Sequence, residues 1–446
     1  MIYLIFYPLQ RPGTPICQGP NKYTMHATST TRYRPENNSC ILLTCLLILA
    51  VGTFSCRKSG PSPEVTRTLE LPAGSARVIA SGNQFATNFF GAVLQKDPLT
   101  QNKLISPFSI YIALSMLYNG SAGATRDSIA LALQQAGISI DQLNAVSKAL
   151  IRQLPTEDSK ISLSIANSLW YQQSGPQPLP GFLDTIGNEY NGHLQALSFD
   201  ASAVNTVNSW VSTATHGKIT SIINSFTPDE VMLLVNAIYF NGPWHFSVLT
   251  TSTQPFTLPD GSIKNVPTMS FETTLRTYKD PAYTLLELPY GAGNSFAMYV
   301  ALPTDQQQSL TSFASSFNAS TFSAALSRLD SLRAGIFLPK WELSYSIDDM
   351  LPDLAALGMG IAATTNADFS NMFPGPAHVS RAIHKTWIDV NEQGTQAAAA
   401  TGIGVETSAP SIPAILVNHP FLYFIVEKQT GAILFIGTMN DPSLTT

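Results

Sequence analysis

Cysteine is scarce in this chain and is confined to its first part. Among 446 residues there are four cysteines, and none lies beyond position 56: Cys17, Cys40, Cys45 and Cys56. The rest of the chain therefore holds no disulfide, no thiol nucleophile and no thiolate metal site. A fold built there must be stabilised by packing and hydrogen bonds.

Charged residues are also few. They make up 12% of the chain, against 44% hydrophobic residues, and the formal net charge is -5. This balance suits a folded, β-rich globule and not a disordered chain. No run of Lys and Arg and no basic helix face occurs, so we expect no nucleic-acid partner.

The motifs of common enzyme classes are missing too. The sequence has no G-x-S-x-G elbow, no H-E-x-x-H pair, no phosphate-binding loop and no carboxylate pair of distinctive spacing. Its histidines are few and scattered. We therefore predict that the protein is not an enzyme and that it uses no cofactor and no metal ion.

The apolar run at residues 41–52 is too short to cross a bilayer, which takes roughly 20 residues. It suits the apolar core of a secretory signal, with Arg32 and Arg34 as the basic end. Residues 53–56 resemble a bacterial lipobox that ends in Cys56. We predict a lipid anchor on Cys56; cleavage by ordinary signal peptidase and a purely structural segment are the alternatives.

These features divide the chain into three parts. Residues 1–55 form a signal region, in which a true start at Met25 would give a signal of ordinary length. Residues 56–76, with Pro, Gly, Ser and charges, form a lipid-anchored tether. Residues 77–446 form one domain, because no linker or repeat divides them. The protein is then exported and held at a membrane, in the periplasm or at the cell surface, or else it is secreted.

Helical and strand patterns alternate along this domain. Apolar spacing predicts helices over residues 80–96, 107–119, 125–136, 141–153, 204–217 and 348–358. Strand patterns occupy residues 161–171, 231–240, 282–302, 335–347 and 415–442. Ser106 before Pro107 suits the start of a helix. Because helices come early and strands late, the class is α+β with mixed sheets.

An unusual segment begins at residue 387. A short strand-like stretch is followed by Gly394, four alanines, two further glycines and two prolines. Long structureless loops in compact domains are uncommon and are usually functional or disordered. Taken by itself, the segment also fits an Ala-rich helix between two glycines, or a plain surface loop.

The residues around this segment resemble the serpin family over residues 80–442. Three motifs are similar to serpin motifs: NKLISPFSIYIALSMLYNGSAGAT (102–125), NSWVSTATHGKI (208–219) and VNAIYFNGPW (235–244), the last with Asn241 where lysine is usual. Three more follow in the family's order: LPKWELSYSI, HKTWIDVNEQGTQAAAATG and HPFLYFIVEKQTGAILFIG. Together the six ordered motifs make the resemblance specific, although no single one would.

The resemblance implies a serpin fold, in which helices pack on three mixed β-sheets and a reactive-centre loop, here about residues 394–410, is exposed. Serpins fold to a metastable state with a gap in the main sheet. A serine or cysteine protease cleaves the loop and forms an acyl-enzyme. The loop then inserts as a new strand and distorts the attached protease. The implied protein is a monomer whose partners are proteases held in covalent complexes.

A loop that becomes a central strand must alternate its side chains between two faces. Thr395, Ala397, Ala399 and Thr401 would face the core, where a charge would cost several kcal/mol and a proline would remove a ladder donor. None of them is charged or proline, which favours an inhibitor over a non-inhibitory serpin, the alternative function. The hinge residues are Glu392, Gly394, Thr395, Gln396, Ala397, Ala398, Ala399 and Ala400.

Other positions carry over from the resemblance one at a time. Ser106, Ser109, Asn236 and His384 match a polar cluster beneath the point where the sheet opens, although each also fits a satisfied core residue. His384 is expected to be able to titrate near neutral pH. At the base of the loop, Glu392 matches an acid whose family partner is Lys340, and Trp244 packs beside them.

The reactive bond is predicted by the family's spacing from Glu392. This places it at Ser408–Ala409, with Thr407–Ser408 as the second choice. A small residue before the bond predicts elastase-like, subtilisin-like or papain-like targets. No Arg or Lys occurs between Lys385 and Lys428, so a trypsin-like target is not expected. Glu406 leaves a glutamyl-specific protease as a further option.

Overall fold

Two β-sheets, with helices packed on them, make up the part of the chain that the structure describes. The computed structural model describes residues 1–8, 66–96, 101–395 and 412–444. The strands are β1 Ile2–Pro8, β2 Lys103–Ile105, β3 Ser162–Gln172, β4 Gly192–Leu197, β5 Met232–Pro243, β6 Thr250–Thr257, β7 Ile263–Lys279, β8 Tyr283–Pro289, β9 Phe296–Pro303, β10 Asp330–Pro339, β11 Trp341–Ile347, β12 Ala377–Asn391, β13 Gly394–Thr395, β14 Ala414–Leu416, β15 Phe421–Glu427 and β16 Ile433–Met439. The helices are α1 Ser75–Lys96, α2 Pro107–Gly120, α3 Gly123–Ala132, α4 Ile140–Gln153, α5 Pro180–Tyr190, α6 Ala201–Ala214, α7 Leu310–Ser316, α8 Ala319–Leu326 and α9 Leu351–Leu354.

The first sheet is built around β5. Within the described residues it has seven strands, and β1 and β13 both lie between β5 and β12, one beyond the other. All its pairs are antiparallel except β3 with β4. We call the space between β5 and β12, bounded by residues 232–243 and 377–391, the β5–β12 slot.

The continuous apolar run in β5 follows from its burial on both faces. Leu234, Ile238 and Phe240 point into the large core shared with the helices beneath the sheet. Leu233 and Val235 point to the other face, where they pack with residues of α6. A strand covered on both sides needs no polar alternation, and this explains why the pattern reads as a nearly unbroken apolar segment.

The second sheet has nine strands in the described residues, and only β10 with β14 is parallel. The resemblance implied three sheets, and the structure joins two of them into one. The reason is the length of β7. It pairs with β10 along residues 268–277 and reaches β8 with its last residues, 276–279.

Most predicted elements are confirmed, and two differ in detail. Ser106 caps α2 as expected, because its side chain accepts a hydrogen bond from the Ser109 amide. Residues 335–347 form two strands as predicted, but β10 belongs to the second sheet and β11 to the first. The expected helix at 348–358 begins only at Leu351, and after Leu354 it continues as irregular turns that kink at Gly358, whose φ is +106°.

The sequence patterns predicted no strand at β1, nor at β2, β4, β6 and β7. β1 is antiparallel to both neighbours, with Ile2 opposite His384 of β12 and Asn236 of β5. Its side chains are buried from Met1 to Phe6. Among the described residues, no helix combines the length and the apolar character needed to cross a membrane.

Candidate functional site

The start of the predicted hinge already lies inside the sheet. Gly394 and Thr395 form β13, which pairs with Val390 and Asn391 of β12 and with Gly242 and Pro243 of β5. Thr395 is only 2% exposed, and its hydroxyl lies 2.6 Å from the hydroxyl of Tyr290. The first residues of the hinge therefore occupy one end of the β5–β12 slot.

The backbone at Gly394 requires glycine. Its φ is +137°, a value that residues with a side chain rarely adopt. A Cβ built there would lie 2.1 Å from the carbonyl oxygen of Gly242 and 2.7 Å from the Cα of Pro243. The chain can thus turn from β12 into the slot only because this position lacks a side chain.

The structure brings together the predicted loop-base residues. Glu392 accepts a hydrogen bond of 2.8 Å from Lys340 and one of 2.7 Å from the Thr251 hydroxyl. Partial burial by itself would raise the pKa of Glu392, but the hydrogen bonds from Lys340 and Thr251 outweigh it and lower this pKa below its ordinary value. Glu392 is therefore ionised at neutral pH.

Trp244 packs at the same end of the slot. Its indole N–H donates to the carbonyl of Asn391 at 2.9 Å, and its amide donates to the carbonyl of Gln393 at 3.0 Å. The ring stacks on Tyr290 with a centroid distance of 4.7 Å. Tyr290 in turn contacts Thr395, so one aromatic stack supports both the turn after β12 and the hinge.

The four predicted cluster residues also come together, and all of them are fully buried. The Ser106 amide donates to Nε2 of His384 at 2.9 Å. The Ser109 hydroxyl donates to the side-chain oxygen of Asn236, and the Ser106 hydroxyl donates to the carbonyl of Leu434 at 2.8 Å. These bonds tie α2, the helix beneath the sheet, to β5 and β12 on the two sides of the slot.

His384 does not titrate near neutral pH, contrary to the expectation from sequence. Burial, followed by the nearby amino group of Met1, lowers its pKa well below 6.5, and a hydrogen bond to the Met1 backbone does not offset this. Its Nε2 accepts the Ser106 amide proton. The ring is therefore a neutral acceptor that holds the start of α2 against β12.

Two residues of this region were missed by sequence reasoning. Asn167 of β3 accepts a 2.6 Å hydrogen bond from Asn236, and its own amide donates to the carbonyl of Tyr190. A polar residue on the apolar face of an alternating strand was a usable signal for Asn167, whereas Asn236 was predicted from the resemblance. No sequence signal marked Tyr290.

Several predicted positions lie outside the described residues. They are Gln396, Ala397, Ala398, Ala399 and Ala400 of the hinge, Thr407, Ser408 and Ala409 at the reactive bond, and Cys56. In the part of the chain that is described, no group of His, Cys, Asp and Glu side chains is arranged to hold a metal ion.

Comparisons with known proteins agree with this architecture. A sequence model of the family "Serpin (serine protease inhibitor)" matches residues 80–442. A serpin-like protein of Methanosarcina mazei is 29% identical over 90% of this chain and 97% of its own length, and the leukocyte elastase inhibitor of Bos taurus is 33% identical over 81% and 99%. Among solved structures, the thermophilic serpin tengpin in its native state has a TM-score of 0.76 at 28% identity, covering 84% of this chain and 97% of its own. The chain belongs to the serpin family.

Proposed function

We propose that this serpin is a suicide-substrate inhibitor of serine endopeptidases with elastase-like or subtilisin-like specificity, and that cysteine endopeptidases of the papain-like kind are also targets. The observation that carries the proposal is the hinge. Thr395 is buried between β5 and β12, in register with both. Insertion of the cleaved loop would continue a strand that has already begun.

The proposed reaction takes place at the bond between Ser408 and Ala409. The nucleophilic oxygen or sulfur of the protease attacks the carbonyl carbon of Ser408, and the amine of Ala409 leaves with a proton. This gives an ester or thioester between protease and loop. Insertion of the residues after Thr395 into the β5–β12 slot then moves the attached protease before water can release it.

The hinge chemistry favours this function over a non-inhibitory one. The residues that follow Thr395 at core-facing spacing are Ala397, Ala399 and Thr401, which are small and uncharged. They can enter the slot with little desolvation. The name of the bovine relative, leukocyte elastase inhibitor, agrees with a target that accepts a small residue before the cleaved bond.

The first test is a covalent complex. We expect the protein without residues 1–55, the form used in this test and the next, to form an SDS-resistant complex with an elastase-like or subtilisin-like protease, and mass spectrometry to locate the ester on Ser408. Attachment to a residue outside 405–410 would contradict the predicted reactive bond. If the protein forms no complex with any serine or cysteine protease tried, and if loop cleavage does not raise its thermal stability, inhibition is excluded.

The second test separates insertion from binding. Thr395→Arg places a charge at a buried position, so we expect the variant to be cut as a substrate without forming a stable complex. The control is Thr365→Arg, the same change at an exposed turn, which should still form the complex. If Thr395→Arg inhibits as well as the control, loop insertion is not the mechanism.

We further propose that Cys56 carries a lipid that holds the exported protein at a membrane. The proposal is supported by the apolar run at residues 41–52, by Arg32 and Arg34 before it, and by the small residue Ser55 next to the cysteine. In a bacterial host supplied with labelled palmitate, we expect Cys56→Ser to lose the label and Cys45→Ser to keep it. Equal labelling of the two variants would contradict the anchor.

A further inference from the structure

β1 occupies the same slot as the hinge, further along it. On β5 the hinge faces Gly242 and Pro243, whereas β1 faces residues 232–236. On β12 the hinge faces Val390 and Asn391, whereas β1 faces residues 377–384. The two strands therefore follow one another in a single strand position between β5 and β12, and both are antiparallel to these two neighbours.

The registers of the two strands can be compared directly. A chain that continued from Thr395 opposite Gly242 would bring residue 401 opposite Asn236, where Ile2 lies. Counting along β12 from the pair of Thr395 with Val390 gives the same answer, since residue 401 would face His384, which Ile2 also faces. By the register with β5 and by the register with β12, Ile2 thus occupies the position that Thr401 would take in an inserted loop.

On the core-facing side of the sheet, the side chains of β1 fill the space between β5 and β12. Ile2, Leu4 and Phe6 are fully buried in the core beneath the sheet. The ring of Phe6 meets that of Phe369 edge-on, with a centroid distance of 5.4 Å. In the shared register the loop would offer Thr401, Ile403 and Val405. The loop would leave more of this space unfilled than β1 does.

On the opposite face of the sheet, which α6 covers, the side chains of β1 and of an inserted loop differ more strongly. Tyr3 and Ile5 are buried there against Val207 and Val211 of α6. An inserted loop would present Gly402 and Gly404 at the same places in the register. The apolar groove under α6 is therefore filled by side chains of β1 and would stay empty under the loop.

Backbone hydrogen bonds close both ends of β1. The Met1 amino group donates to the carbonyl of Lys385 at 2.7 Å, and the Lys385 amide donates to the Met1 carbonyl at 2.9 Å. At the other end the Val231 amide donates to the carbonyl of Phe6 at 2.8 Å. β1 is thus hydrogen-bonded to the sheet through its backbone at both of its ends.

We propose that residues 1–8 are an intramolecular plug, which fills the far part of the β5–β12 slot and stops the cleaved loop from inserting beyond residue 400. The plug role rests on the proposed function, because it matters for inhibition only if the loop inserts. In the plugged chain the protease would cut the loop and leave, as it does with an ordinary substrate. Cleavage of the chain between residue 8 and the domain would release the plug and restore inhibition.

The test compares full-length chains produced without export, so that residues 1–55 are retained. Leu4→Asp puts a charge at a fully buried position of β1, and Leu131→Asp makes the same change where the side chain is 63% exposed. Hydrogen exchange is followed in peptides that contain the amides of Val231 and Lys385. We expect protection in the parent chain and in Leu131→Asp, and its loss in Leu4→Asp.

Thermal unfolding before and after loop cleavage then reports insertion. We expect cleavage to raise the melting temperature of Leu4→Asp more than that of the parent chain. We also expect Leu4→Asp to form the covalent complex, whereas the parent chain is cut as a substrate. If Leu4→Asp does not fold, a chain that lacks residues 1–8 takes its place in both measurements.

The outcomes distinguish the two proposals. Equal exchange at Val231 and Lys385 in the parent and in Leu4→Asp would overturn the plug, and so would equal gains in melting temperature on cleavage. If exchange shows the plug seated but neither chain forms a complex or gains stability, the proposed inhibition fails and β1 is a structural strand of the sheet.

Discussion

At the scale of single residues, the entry of the hinge into the sheet depends on an absent side chain. Gly394 has φ of +137°, and a Cβ there would meet the backbone of Gly242 and Pro243. We expect Gly394→Ala to lower the free energy of unfolding by about 1–3 kcal/mol, the usual cost of such backbone strain, or to expel Thr395 from its contact with Tyr290. Urea unfolding and the exposure of Thr395 measure these two effects.

The matched control for this prediction is Gly375→Ala, since a Cβ added at Gly375 meets nothing within 4 Å. It should change the unfolding midpoint little. Equal midpoints for the two alanine variants, with Thr395 still buried in both, would show that Gly394 is not needed for the turn into the slot.

At the scale of elements, the turn after β12 is held by hydrogen bonds among three segments of the chain. Glu392 follows β12, Lys340 stands between β10 and β11, and Thr251 lies in β6, so their hydrogen bonds connect the two sheets. Lys340 and Glu392 keep 33% and 29% of their side chains exposed. At such exposure an ion pair contributes about 0–1 kcal/mol.

We expect a double-mutant cycle of Lys340→Met and Glu392→Gln to give a coupling in the upper half of that range at about pH 7. A carboxylate whose folded-state pKa is lowered contributes stability that is present above its unfolded pKa and is lost as the pH falls through the folded pKa. Since the pKa of Glu392 is lowered from its ordinary value of 4.5, the coupling should begin to decrease as the pH falls below 4.5 and should be lost as the pH falls through the lower folded-state pKa.

A second ion pair of the same exposure serves as the control. Lys148 and Glu189 lie 3.0 Å apart and keep 32% and 30% of their side chains exposed. This pair joins two helices of one layer, so we expect its coupling to be smaller. A coupling between Lys340 and Glu392 that is as large at about pH 3 as at about pH 7 would contradict the assignment, because the coupling should decrease once the pH is below the ordinary carboxyl pKa.

At the scale of the whole molecule, the sequence predicted the fold class and most elements because their patterns are local. The double burial of β5 was visible as an unbroken apolar run, and the cap at Ser106 was visible as Ser-Pro. The meeting of Ser109 with Asn236, and of Lys340 with Glu392, could be expected only through the resemblance to serpins. No local pattern connects positions so far apart in the chain.

The remaining features depend on interactions that only the folded molecule creates. The neutral state of His384 results from its complete burial next to Met1, and no sequence motif predicts that these two residues meet. The union of two expected sheets results from the length of β7. The seat of β1 escaped prediction because residues 1–8 read as part of a signal region, whereas the groove that receives them is formed by β5, β12 and α6.

The pairing of Ile2 with His384 also has a consequence in time. A ribosome adds about 5–20 residues per second, so roughly 20 to 80 seconds separate the synthesis of these two residues. During that interval β12 has not been synthesised, so residues 1–8 cannot pair with it and are accessible to the export machinery and to proteases. Under the proposals made above, export and cleavage compete with folding for the same segment. The speed of targeting would then decide which molecules keep the plug and which become inhibitors.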